Sequence, residues 1–220
     1  MPERFVRVSQ FFGQHGMPPT DFWLSRVEPQ VIRALINVPP HEAFTLVEDG
    51  QYLDLVGERY RVIWTPGHSD GQICLFRERD GVFLAADHVL PRITPNIGLY
   101  SEQDRPNPLA DYLASLDKVI SLPASIVLPG HREPFTDLAG RVREIAGHHE
   151  ERLQLILALL AGQPQHAYQL TERLFEQRLQ NSEAKRMAVA EVLSHLEYLR
   201  LNGQVEQFHT ADGLILYALA

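Results

Sequence analysis

Residues 59–90 read RYRVIWTPGHSDGQICLFRERDGVFLAADHVL. β-Branched and aromatic residues gather there in three short runs, separated by Pro-Gly and Asp-Gly pairs. Runs of this kind predict strands near 59–64, 72–77 and 82–86. Asp80-Gly81 supplies a hairpin turn. Upstream, FTLVEDGQYLDLVG (44–57) predicts two further strands, near 43–47 and 51–56, around an Asp49-Gly50 turn. Downstream, Asn107-Pro108 gives a cap followed by the residue best tolerated at the first helical position. The helix it starts places Leu109, Leu113, Leu116, Val119 and Ile120 on one face. SIVLPGH (125–131) then reads as a short buried strand ending in a turn. Residues 41–150 therefore form a layered α/β domain, with strands followed by helix and strand.

The flanks differ. Phe5, Val8, Phe11 and Phe12 have helical spacing, stopped by Gly13 and Gly16. Thr20 can cap a second helix bearing Phe22, Trp23, Val27, Val31, Ile32 and Leu35, with Pro29 kinking or splitting it. Residues 1–40 are thus a helical segment, either core-packing or a lid. Beyond 150 the expectation is helices over 138–160, 168–179 and 182–201, ended by Asn202-Gly203. A hairpin with Asp212-Gly213 at its tip follows. Three helices and a hairpin are the layout of a winged helix. This gives three parts: 1–40, 41–150 and a winged-helix-like α+β domain over 151–220.

The chain has 220 residues, a net charge of −8, 45% hydrophobic residues and 22% charged residues. Such a composition is that of a soluble globular protein, and its acidity argues against broad capture of nucleic acid or anionic membrane. From 151 to 220, six basic residues stand against eight acidic ones, so the winged-helix-like part lacks the basic face of a DNA reader. Packing, or shaping a substrate entrance, is its expected role. The longest apolar run, Leu155 to Ala161, is seven residues, far short of the roughly 20 of a membrane span. MPERFVRVSQ has no uninterrupted apolar core, so no signal peptide is expected. The single cysteine, Cys74, excludes an internal disulfide and suits a cytoplasmic location; it reads as an inert buried thiol.

Three short sites carry the chemistry. His68 lies in TPGHSDG, Asp87 in LAADHVL and His131 in LPGHREP, each just past the end of a predicted strand. Rigid strand ends can hold side chains at fixed positions. Imidazole suits zinc, and a carboxylate can bridge two metals; iron and manganese accept the same donors. Gly67 and Gly130 let the backbone turn sharply before the histidines. His88, Arg92, Asn96 and Tyr100, beside Asp87 or in the loop after it, are candidates for binding substrate, an anionic one in particular. For His88 the competing reading is a structural hydrogen bond. His148 and His149 read as a packed or solvated helix face.

These motifs, in this order, resemble the second half of the metallo-β-lactamase-fold hydrolases, an αββα-type fold. DHVLPRITPNIGLY and LPGHREPF resemble a bacterial branch that ends in a winged-helix-like domain. Glyoxalase-II-like thioesterases and lactamase-like endoribonucleases are relatives. The resemblance implies that His68, Asp87 and His131 correspond to the third, fourth and fifth metal motifs, with Asp87 bridging two zinc ions. It implies a metal-dependent hydrolase that attacks an ester, thioester or phosphodiester with metal-activated water. The family's His-x-His-x-Asp-His motif is not found, and Arg132 stands where a glycine often follows the last histidine. The expectation is a partial domain with half the ligands. The alternatives are a catalytically incomplete remnant and, more weakly, a DNA-binding regulator. A missing half would leave an apolar sheet face or an unpaired edge, favouring a homodimer or other self-association.

Overall fold

The computed structural model describes residues 2–21, 39–176 and 179–220. The helix expected from Phe22 to Leu35 lies outside the described residues. The elements in chain order are α1 (Pro2–Gln14), β1 (Tyr52–Leu55), β2 (Glu58–Trp64), β3 (Ile73–Arg77), β4 (Val82–Ala86), α2 (Pro108–Val119), β5 (Ile126–Pro129), α3 (Leu138–Leu160), α4 (Ala167–Phe175), α5 (Ser182–Leu201), β6 (Val205–His209) and β7 (Ile215–Leu219). They fall into two compact units. One is made of residues 46–97 and 108–152, the other of 1–45, 98–107 and 153–220. The segment carrying α1 thus shares a compact unit with the C-terminal module.

The first unit is built on a mixed five-stranded sheet in the order β1-β2-β3-β4-β5. The first three pairings are antiparallel and β4–β5 is parallel. A parallel pair cannot be closed by a tight turn, and here the connection includes α2. Alternation along the strands divides the residues between two faces. Ile63, Cys74, Phe76, Phe83, Ala85 and Val127 are buried on one of them. Phe76 and Phe83 meet there at 6.4 Å, nearly edge to face. The other face carries Ile73, Leu75, Val82, Leu84, Ile126 and Leu128, all half-buried. At the β1 edge, Tyr52, Leu55 and Val56 are exposed.

Two local expectations are corrected. Residues 43–47 are not a strand. Ala43 ends a short 3-10 turn, and Phe44 and Leu46 are 53% and 82% exposed. Strand propensity without a pleated neighbour to pack against does not make a strand. The β1–β2 turn is Val56-Gly57, with φ of 52° and 79°. Both values suit a two-residue hairpin whose central residues are left-handed. Asp49-Gly50 also turns, with φ of 81° at Gly50, and the Asp49 carboxylate accepts hydrogen bonds from Trp64 N at 2.8 Å and Lys118 Nζ at 2.9 Å. The Asp80-Gly81 hairpin is present, with Gly81 at φ 73°.

In the second unit, α5 spans the residues expected and starts at Asn181, whose side chain accepts from Ala184 N at 2.8 Å. α4 begins one residue early, behind a capping box between His166 and Gln169, and stops at Phe175 rather than 179. Gly213 turns the β6–β7 hairpin at φ 86°. Tyr168 Oη and Lys185 Nζ both donate to Asp21 Oδ2 at 2.8 Å. Leu99 N donates to Ala190 O at 3.0 Å, which holds the 98–107 loop on α5. No helix among the described residues is long and apolar enough to cross a membrane.

Candidate metal centre

Sheet topology explains why three distant turns meet. β2 and β4 are each antiparallel to β3, so they run the same way, and β5 is parallel to β4. The carboxyl ends of β2, β4 and β5 therefore share one edge of the sheet. His68, Asp87 and His131 follow those three ends.

Each turn has a particular construction. After β2, Thr65 N donates to Gln72 O at 3.0 Å and closes the loop that carries His68. Gly67 has φ of 131°, and a Cβ there would lie 2.4 Å from Tyr112 Cβ. Only glycine lets this turn sit against α2. After β4, the register breaks between Leu84 and Ala86, and Ala86 has φ of 46°. Such an irregularity re-aims the next side chain, here Asp87. Gly130 N donates to Ala86 O at 2.7 Å, which ties the β4 and β5 turns together. A Cβ on Gly130 would lie 2.4 Å from Asp87 Oδ1, so glycine leaves room for the carboxylate.

The result is a carboxylate between two imidazoles. Asp87 Oδ2 is 3.8 Å from His68 Nε2, and Asp87 Oδ1 is 3.5 Å from His131 Nε2. Both gaps exceed a hydrogen bond, yet lie under the roughly 4.2 Å that two 2.1 Å metal–ligand bonds can span. Asp87 Oδ1 is buried and has no hydrogen-bond partner. His68 Nδ1 lies 3.0 Å from the Asn96 carbonyl oxygen. Donating there leaves Nε2 as the lone-pair nitrogen facing Asp87, the arrangement typical of a metal-ligating histidine. A tightly held zinc takes about three protein ligands. Here each side of the carboxylate has one imidazole. Among the described residues no group of three or more His, Cys, Asp or Glu side chains is able to hold a metal ion. The donors fit one edge of a centre and do not complete it.

The sequence of this region has known relatives. Residues 10–131 match the family described as the metallo-beta-lactamase superfamily. The chain belongs to that superfamily. Residues 153–220 match the metallo-beta-lactamase-like C-terminal domain. A metallo-beta-lactamase family protein from Thermus thermophilus is 37% identical with a TM-score of 0.81, covering 100% of this chain and 66% of that one. A beta-lactamase domain protein from Burkholderia ambifaria is 31% identical with a TM-score of 0.85, over 95% of this chain and 60% of that one. The probable metallo-hydrolase YqjP of Bacillus subtilis (strain 168) is 30% identical over 132 residues, 59% of this chain and 41% of that protein. The lactamase-like protein adaB of Aspergillus niger is 26% identical over 157 residues, 70% of this chain and 45% of that protein. The matches thus span less than half the length of these two curated relatives.

Arg132 follows His131 in the turn after β5 and is a non-glycine residue with positive φ. Its φ is 73°, the left-handed region that costs a non-glycine residue about 1–2 kcal/mol. The arginine bears that strain at this turn.

The candidate substrate contacts are scattered. His88 is fully buried and makes an edge-on contact with the Tyr112 ring at 5.2 Å. Burial lowers its pKa to about 4. It is a packed neutral imidazole rather than a group facing the opening. Arg92 is 75% exposed and pairs with Glu133. Asn96 contributes its carbonyl to His68. Tyr100 belongs to the other compact unit, where its ring meets Phe12 edge-on at 6.2 Å and Arg186 lies 5.0 Å from its centroid. His149 is buried with its ring 5.5 Å from Tyr112 and 5.8 Å from His148, as expected for a packed helix face. Cys74 is buried, and desolvation pushes its thiol up to about 12, which makes it inert.

Two buttresses were not anticipated from sequence. Tyr112 packs on Gly67, and its hydroxyl donates to His88 O at 2.8 Å. One buried side chain thus braces the turns of both His68 and Asp87. Arg141 donates to Leu90 O at 2.6 Å and to Ile93 O at 2.9 Å, pinning the loop after Asp87 to α3. A lone tyrosine on a leucine-rich helix face was the available signal for the first.

Proposed function

We propose that this chain carries part of the metal centre of a metal-dependent hydrolase that cleaves an ester, thioester or phosphodiester with activated water. His68, Asp87 and His131 would be the donors that hold its zinc, manganese or iron. The observation that carries the reading is the Asp87 carboxylate between two imidazoles, its buried, unpartnered Oδ1 3.5 Å from His131 Nε2 and its Oδ2 3.8 Å from His68 Nε2. A metal ion supplies a nucleophile near neutral pH by lowering the pKa of water to about 7. The protein's own share is orientation. The Asn96 carbonyl fixes the His68 tautomer, and Gly130 leaves Asp87 its place.

The C-terminal module is winged-helix-like in element order and does not read DNA; its acidic balance supports this. A reducing cytoplasm suits the single buried thiol, and the half-buried apolar sheet face supports self-association.

A second reading is a catalytically incomplete chain. The absence of a closed three-donor cluster among the described residues favours it. One experiment separates the two. Protein purified without chelator is assayed for bound metal and for hydrolysis of ester, thioester and phosphodiester reporters, beside Asp87→Ala. Bound metal and turnover that are both lost in the variant support the hydrolase. Bound metal without turnover supports the incomplete chain, and neither metal nor turnover refutes the metal centre.

A further inference from the structure

A second cleft lies wholly within the unit made of residues 1–45, 98–107 and 153–220. It has a volume of about 210 Å³ and is walled by α1, the 98–107 loop, the end of α5 and the β6–β7 hairpin. That is smaller than the usual drug-sized pocket of about 300–1,000 Å³, so its occupant is small.

One wall is a row of rings. Phe11 meets His15 edge-on at 4.7 Å, and His15 stacks on Tyr217 at 5.9 Å with 17° between planes. All three side chains are over nine-tenths buried. Burial, with His209 and His166 nearby, lowers the His15 pKa to about 4, so it adds no positive charge at neutral pH. The charged lining is acidic: Glu102, Asp104 and Glu197 against Arg200. Arg200 is already engaged by Glu197 through two hydrogen bonds, of 2.8 and 2.6 Å. Among the described residues, Asp104 accepts from neutral donors: Tyr100 N at 2.7 Å, Ser101 N at 2.9 Å and Ser101 Oγ at 3.0 Å. None of these donors carries a charge that would cancel its own.

Ring faces are negative at their centres and attract ammonium groups, most strongly where water is excluded. Carboxylates at the rim add to that attraction and repel anions. We propose that this cleft binds a small organic cation, an alkylated or quaternary ammonium, between the Phe11–His15–Tyr217 wall and the carboxylates of Glu102 and Asp104. The site involves no metal and stands or falls separately from the hydrolase reading.

The test uses choline chloride and its uncharged carbon isostere, 3,3-dimethylbutan-1-ol. Both are titrated into the full chain at constant ionic strength and followed by calorimetry and amide chemical shifts. Choline is expected to bind and to shift resonances of Phe11, Ser101 and Tyr217, with the isostere weaker by at least about ten-fold. Glu102→Lys changes an exposed side chain and should weaken choline by about ten-fold while leaving the melting temperature unchanged. Equal binding of the isostere would overturn the proposal. So would undiminished choline binding in a folded Glu102→Lys protein, shifts confined to other residues, or no choline binding at concentrations up to about 100 mM.

Discussion

Gly130→Ala is the most informative single substitution, because its effect is set by geometry. The added Cβ would sit 2.4 Å from Asp87 Oδ1, where ordinary contact begins near 3.4 Å, so the carboxylate must retreat by about 1 Å. A retreat of about 1 Å can carry Oδ1 from 3.5 Å to as far as about 4.5 Å from His131 Nε2. No single ion with bonds of about 2.1 Å can then touch both, since two such bonds span at most about 4.2 Å. The next obstacle is the Ala86 carbonyl carbon at 3.1 Å, which asks for a shift of a few tenths of an ångström. The fold should lose only about 1 kcal/mol, while zinc affinity should fall by about 10–100-fold, the range of losses when ligand positioning is disturbed. Competition with a chromophoric chelator measures the affinity, and urea unfolding measures the stability. Zinc affinity within two-fold of the parent protein would refute this account of why residue 130 is glycine.

Tyr112→Phe keeps the ring and removes the donor to His88 O; one buried unsatisfied carbonyl should cost about 1–3 kcal/mol in denaturant unfolding. Unchanged stability would show that the hydroxyl does not brace the turn. The His15 pKa lies near 4 in the folded protein, against 6.5 for the free side chain. The unfolded chain takes up that proton first as pH falls, so stability is fully present above 6.5 and is lost between about 6.5 and 4, by up to about 3 kcal/mol. His15→Gln should flatten that part of the stability–pH curve, and an equally steep curve in the variant would contradict the assignment. Arg132→Gly relieves a left-handed residue at φ 73°. Relief of about 1–2 kcal/mol, offset by about 0.5–1 kcal/mol of added chain entropy, should leave stability unchanged or raised by up to about 1 kcal/mol; a clear loss would mean that the arginine side chain holds the turn.

Much of the fold was legible because it is written in local signals. Asn107-Pro108, Asp80-Gly81 and Asp212-Gly213 each marked a real boundary, and the apolar face of α2 was read from its leucine spacing. Residues 43–47 misled because their strand propensity is genuine but pairs with no strand among the described residues. Val56-Gly57 escaped notice because a valine at φ 52° is not a usual hairpin residue. At the site, the meeting of His68, Asp87 and His131 followed from strand-end positions once the strands were known. The buttresses were hidden, because Tyr112 reaches His88 across 24 residues of sequence and Arg141 reaches Ile93 and Leu90 across 48 and 51. His88 looked like a site residue by adjacency, but successive residues past a strand end point in different directions, and this one points inward.

The central claim is that Asp87 offers its carboxylate to a metal ion alongside an imidazole on either side. Crystals grown with zinc and measured at the zinc absorption edge test it directly. The account predicts an anomalous peak within about 2.0–2.2 Å of an Asp87 carboxylate oxygen and of Nε2 of His68 or His131. Zinc peaks only elsewhere on the protein, or imidazoles turned away from Asp87, would contradict it.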